Sequence, residues 1–118
     1  MTNRSTLYGI SNCDTVKRAR AWLASEKREH AFHDYQKQGV PDDRIADWIK
    51  RLGWEALINR KGTTWRKLEP KRQAAVKDAA SARALMLEYP SVIKRPVVEW
   101  PDGDVSAGFE PDEWKKRR

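Results

Sequence analysis

A chain of 118 residues is long enough for one hydrophobic core and too short for two independent ones. At 39% hydrophobic and 35% charged it is polar for a globular protein, yet its apolar residues recur in periodic blocks of only a few residues, a pattern that excludes both a disordered chain and a membrane-spanning helix. The 24 Lys and Arg against 17 Asp and Glu give a formal net charge of +7, which admits nucleic acid, acidic partners or anionic small molecules without choosing among them.

Residues 5–10 read as a first strand through Leu7, Tyr8 and Ile10, with Gly9 allowing a close backbone approach. A helix over residues 14–27 follows, because Val16, Ala19, Trp22 and Leu23 fall three or four apart while Lys17, Arg18, Arg20 and Glu26 face outward. Residues 31–35 alternate as a second strand, completing a βαβ unit whose two strands run parallel. Asp42 or Asp43 caps a second helix through Ile45, Trp48, Ile49 and Leu52, stopped by Gly53. A short segment over 54–58 and a turn at Asn59-Arg60-Lys61-Gly62 come next. Thr63 or Thr64 then caps a short helix, Pro70 opens another, and Ser81 caps a helix over 82–88. Residues 91–100 read as β, interrupted at Pro96, where a cis Arg95-Pro96 bond fits because proline cannot donate to the sheet. Pro101-Asp102-Gly103-Asp104 forms a tight turn into a last strand over 105–109, and Pro111 opens a final helix holding Trp114. The expected architecture is α/β: a mixed sheet of about four strands, parallel at the N-terminal unit and antiparallel at the C-terminal hairpin, plus helices. It reads as one domain over 1–118, with a β core over about 1–40 and 91–118 and a helical insertion over about 41–90.

Cys13 carries the chemistry, since it sits where the first strand breaks into the first helix. Free amides and the positive end of the helix dipole favour thiolate there, and such thiols fall from about 8.5 to roughly 3.5–7.5 in pKa. As the only cysteine in the chain it cannot form an internal disulfide, which points to a reducing compartment. Residues 1–6 lack the apolar stretch of an export signal, so a cytoplasmic location is expected. An oxidised Cys13, or one joined to a substrate, needs an external thiol to release it.

The segments Tyr8-Gly9-Ile10-Ser11-Asn12-Cys13-Asp14-Thr15-Val16-Lys17, Leu57-Ile58-Asn59-Arg60-Lys61-Gly62, Tyr89-Pro90-Ser91-Val92-Ile93-Lys94-Arg95-Pro96-Val97 and Gly108-Phe109 with Trp114 resemble, in order and spacing, the ArsC/Spx family of thioredoxin-like proteins. The likeness extends over the whole chain and is nearest to the YffB-type members, described as ArsC-like or glutathione-dependent thiol reductases. The resemblance implies a thioredoxin-like sheet with a helical insertion, and an oxyanion-attacking cysteine at Cys13 assisted by arginines at Arg60 and Arg95. The family's third arginine has no counterpart around Ala107-Gly108-Phe109. Losing one charged hydrogen bond costs about 1.5 to 3 kcal/mol, or one to two powers of ten in affinity, and this disfavours arsenate as the substrate. Position 10 is Ile, so the Cys-x-x-Cys redox switch of the Spx branch is absent.

Glutathione is the expected co-substrate, with its carboxylates held by Arg60, Arg95 and Lys94 beside Pro96. The backbone amides of Asn12, Asp14 and Thr15 are expected to form the anion site around the sulfur. Glutaredoxin is a further candidate partner. The RNA polymerase α subunit, which Spx-type regulators bind, is a less favoured one. His30 and His33 lack a third ligand for a metal. The tryptophans fit packing better than base stacking, and the basic cluster around Arg66, Lys67, Lys71 and Arg72 comes with no nucleic-acid motif. Lys115-Lys116-Arg117-Arg118 reads as a solvated tail.

Overall fold

The alternating run Ser5–Gly9 forms strand β1, and the amphipathic segment Asp14–Ser25 forms helix α1. Strand β2 (His30–Asp34) leads into a short helix α2 (Tyr35–Gln38). Helices α3 (Asp42–Leu52), α4 (Trp54–Leu57), α5 (Thr63–Lys67), α6 (Pro70–Ala74) and α7 (Ala79–Glu88) precede a 3-10 turn, Pro90–Val92. Strands β3 (Val97–Glu99) and β4 (Val105–Ala107) and helix α8 (Pro111–Lys115) complete the chain. These elements come from a computed structural model that describes residues 4–117. The described residues divide into two units, one of residues 4–39 and 95–117 and the other of residues 40–94.

The first unit carries a four-stranded sheet in the order β2-β1-β3-β4. β1 and β2 are parallel, with Leu7 opposite Phe32 and Tyr8 opposite His33. β3 is antiparallel to both β1 and β4. This is the mixed, thioredoxin-like sheet expected from the sequence. α1 buries Val16, Ala19 and Leu23 on one face of it, against Leu7, Val98, Trp100 and Trp114. Val16 and Leu23 each contribute about 1.5–3 kcal/mol on leaving water. Gly9 is required where strand and helix meet, since a Cβ there would lie 2.8 Å from Val16 Cγ2.

At the hairpin, Trp100 N–H donates to Asp104 C=O (2.8 Å) and Gly103 adopts φ +93°. The Asp102 carboxylate accepts from Asp104 N–H at 3.0 Å. Arg117 is docked rather than free: it pairs with Asp104 at 2.8 Å and lies 4.7 Å from the Trp100 ring. The solvated-tail expectation therefore fails at Arg117, because an indole face and a carboxylate are both within its reach; Arg118 lies outside the described residues.

In the second unit, Ile45 and Trp48 of α3, Leu57 of α4, and Ala82, Leu85 and Met86 of α7 are fully buried. The segments before and after the central helices meet at an antiparallel bridge between Ile58 and Ile93. Asn59 N–H donates to Val92 C=O (2.8 Å) and Lys94 N–H to Leu57 C=O (2.7 Å).

Several local expectations need correction. Tyr35 opens α2 instead of ending β2, because the Asp34 carboxylate accepts from Gln36 N–H (2.9 Å) and caps a new helix. Pro41, not Asp42 or Asp43, is the N-cap of α3; both aspartates fall in the first turn, where the dipole also favours them. α5 is capped by Gly62, with Thr63 already helical. α7 begins at Ala79, where Asp78 caps it and Ser81 returns the bond in a capping box. Residues 91–93 form no strand: Pro90 fixes a backbone angle that opens a 3-10 turn, leaving the single bridge at Ile93.

Candidate active site

β1 ends at Gly9 and α1 begins at Asp14, so Cys13 falls at the N-cap with extended backbone (φ −103°, ψ 124°). A side chain at that position faces the amides two and three residues on. In the resting geometry the sulfur makes no capping hydrogen bond, yet the amides of Val16 and Thr15 are directed at it and favour its charged form. Cys13 is half-buried. Burial alone pushes the thiol up, but the Val16 amide, a hydrogen bond and the positive charge from Arg95, and the Thr15 amide outweigh it, so the net pKa is lowered.

Arg95 reaches the sulfur from the loop before β3. The Arg95-Pro96 peptide is cis, as the proline inside the β run suggested. Pro96 is buried, and its carbonyl accepts from Gly108 N–H at 2.8 Å, which ties this loop to the end of β4. Gly108 itself takes φ +91°, and Phe109 turns into an aromatic cluster, 6.5 Å from Trp22 and 5.0 Å from Trp114 between ring centroids. The stretch that lacks the third arginine thus serves sheet and core packing.

The structure brings Cys13, Thr15 and Arg95 together within the first unit. Asn12 and Asp14 are exposed at the start of α1. The amide acting alongside Thr15 is that of Val16, since the N-cap geometry selects positions N2 and N3 and not the residues directly flanking the sulfur. The N-cap rule applied to Cys13 would have found Val16 in the sequence.

Arg60 and Lys94 belong to the second unit. Arg60 is exposed, and its guanidinium carbon lies 5.9 Å from the Trp54 ring and 5.8 Å from the Trp65 ring. Two indoles therefore brace that cation. Lys94 is exposed and anchored through its backbone amide.

His33 Nε2 lies 2.8 Å from Gly39 C=O. The pKa of His30 is lowered, by burial first and then by the charge of Arg20. Among the described residues no group of three His, Cys, Asp or Glu side chains converges on a point that could hold a metal, and no helix is long and apolar enough to cross a membrane.

Comparison with known proteins places this geometry in context. The sequence profile of the ArsC family matches residues 8–117. The chain is 44% identical to a protein named YffB, whose solved structure superimposes with a TM-score of 0.87 over 94% of this chain and 96% of that one. It is 45% identical to an arsenate reductase (ArsC) related protein from Brucella melitensis, with a TM-score of 0.77 over 99% of this chain and 96% of that one. An uncharacterized protein of Haemophilus influenzae is 38% identical over 110 residues, which are 93% of this chain and 95% of the relative.

Proposed function

The chain belongs to the ArsC family, and from that premise we propose that it is a cytoplasmic, glutathione-dependent thiol reductase with Cys13 as its one nucleophile. The observation that carries this reading is the convergence of the Val16 and Thr15 amides and the Arg95 guanidinium on the Cys13 sulfur. A thiolate is the attacking species in thiol exchange, and a depressed pKa supplies it at neutral pH.

In the first step the Cys13 thiolate attacks one sulfur of a disulfide substrate. A bond forms between the two sulfurs, the substrate's own S–S bond breaks, and the departing sulfur leaves as a thiolate that takes a proton from water. A glutathione thiolate then attacks the Cys13 side of the mixed disulfide and frees the rest of the substrate as a thiol. A second glutathione releases Cys13 as thiolate and leaves as oxidised glutathione. The balance is one disulfide and two glutathione thiols converted into two substrate thiols and one glutathione disulfide. With a single cysteine in the chain, both reducing equivalents come from outside. Arg95 offers a planar fork of donors suited to a thiolate on one edge and a carboxylate on another.

Arsenate remains the alternative substrate of the same thiol. What counts against it is the absence of a cation at Ala107, Gly108 and Phe109.

The deciding experiment is the pH dependence of Cys13 alkylation by iodoacetamide, followed by mass spectrometry after incubation with oxidised glutathione. A thiol titrating well below the ordinary value and a single glutathione adduct at Cys13, formed more slowly in Arg95→Ala, are expected. An ordinary thiol pKa would sink the reading. Turnover with arsenate, glutathione and glutaredoxin but not with disulfides would replace it by the arsenate alternative.

A further inference from the structure

Residues 54–72, all in the second unit, carry six cations, Arg60, Lys61, Arg66, Lys67, Lys71 and Arg72, against two carboxylates, Glu55 and Glu69. Arg72 pairs with Glu88. The other five cations are exposed, and among the described residues none of them has an ion-pair partner. A run of surface charge is ordinarily a solvated face whose long side chains turn freely in water. Arg60 departs from that pattern.

Its guanidinium lies 5.9 Å from the Trp54 ring of α4 and 5.8 Å from the Trp65 ring of α5, within cation–π range of both. The backbone beneath it is fixed as well. Asn59 accepts from Lys61 N–H through its side chain and from Gly62 N–H through its carbonyl, each at 3.2 Å. Trp65 C=O in turn accepts from the Gln73 side chain at 2.8 Å, which ties α5 to α6. The turn, α4, α5 and α6 thus present one braced guanidinium among loose cations. An arginine already held in place gives up less side-chain entropy when it takes a ligand, and its planar fork matches a carboxylate with two parallel hydrogen bonds.

Nucleic acid bound without sequence readout would need aromatic faces on which to stack bases. Trp54 and Trp65 are half-buried and both flank the guanidinium, so those faces are engaged, and the charge favours carboxylates. We propose that the surface around Arg60 is a docking site for an acidic polypeptide segment of a partner protein. Arg60 is its anchor, Trp54 and Trp65 position that anchor, and Lys61, Arg66, Lys67 and Lys71 supply the surrounding field. The site is independent of the Cys13 chemistry.

Fluorescence anisotropy of a labelled octaglutamate peptide on the full chain tests this, with an octathymidylate of similar charge as the competing probe. At about 150 mM salt, where unanchored surface charges are largely screened, the chain is expected to retain octaglutamate and to bind it more tightly than the oligonucleotide. Arg60→Ala should weaken the peptide about fivefold or more, and Arg60→Lys nearly as much, since a lysine lacks the fork. Lys50→Ala, which removes an exposed charge from α3 of the same unit, should cost about twofold or less. Trp65→Leu should weaken binding although every charge remains, and Trp54→Leu reads the same bracing from α4 should Trp65→Leu fail to fold. No binding at this salt, an Arg60→Ala effect no larger than that of Lys50→Ala, or tighter binding of the oligonucleotide would overturn the proposal. Indole variants that fold and bind as the unaltered chain does would overturn the positioning role. Each of these results leaves the pH profile of Cys13 alkylation as a separate question, so the reductase reading stands or falls on its own.

Discussion

At an N-cap, Ser, Thr, Asp or Asn would accept hydrogen bonds from the amides of N2 and N3, and giving these up for a non-capping residue costs about 1 kcal/mol. Cys13 occupies that position without forming a capping bond, so the helix gives up stability to place a thiol there. Ionisation returns part of it, because the lowered pKa means that folding favours the thiolate. The native state of Cys13 loses its proton before the unfolded state does. Stability from this group therefore grows as pH rises from the folded pKa to the ordinary thiol value, levels off above that, and is lost as pH falls through the folded pKa. Urea midpoints over about pH 5 to 9 should show this slope in the unaltered chain and not in Cys13→Ser, whose hydroxyl caps the helix at every pH. Parallel profiles for the two proteins would mean that Cys13 is not depressed. Cys13 and Arg95 were legible in the sequence as single residues. The Tyr8–Glu99 hydrogen bond was not, since nothing in a local pattern tells which residues of two strands will meet across a sheet.

Among the elements, the junction of β1 and α1 governs the sulfur. Val16 supplies both the methyl group that touches Gly9 and the amide that faces Cys13. Gly9→Ala forces a Cβ to within 2.8 Å of Val16 Cγ2, and overpacking of this kind costs about 1–3 kcal/mol. The denaturant midpoint should fall at constant slope, and the thiolate fraction of Cys13 at neutral pH should fall with it as the first turn of α1 is displaced. Val16→Ala in the same chain should recover part of both by removing the offending methyl groups. A Gly9→Ala protein as stable and as reactive as the original would show that strand and helix can separate there at no cost. The long periodic elements β1, α1 and α3 were readable from spacing, because an amphipathic stripe reports its own period. The short ones were displaced by capping and proline geometry: α2 arises from the Asp34 cap, α7 starts at Ala79 under the Asp78 cap, and the stretch after Pro90 turns instead of extending.

For the whole molecule, the +7 charge is distributed among roles that the composition cannot separate. Arg117 packs on Trp100, Arg28 donates to Trp114 C=O at 2.9 Å, and Arg83 pairs with Asp42 at 2.6 Å. These cations serve ion pairing and packing within the chain as well as net charge. The binding alternative, a regulator that engages the RNA polymerase α subunit, predicts retention on immobilised α subunit that survives Cys13→Ser. We expect no retention at physiological salt, and a stable, Cys13-independent complex would favour the regulator over the reductase. The sequence by itself determined the family, the mixed sheet and the place of the lone cysteine at a helix start, because periodicity, turn chemistry and residue order are local properties of consecutive residues. Tertiary structure alone decided which groups act on that sulfur. Arg95 follows Cys13 by 82 positions, and its effect on the sulfur depends on the chain returning through β3, paired antiparallel with β1, and on the tie between Pro96 and Gly108.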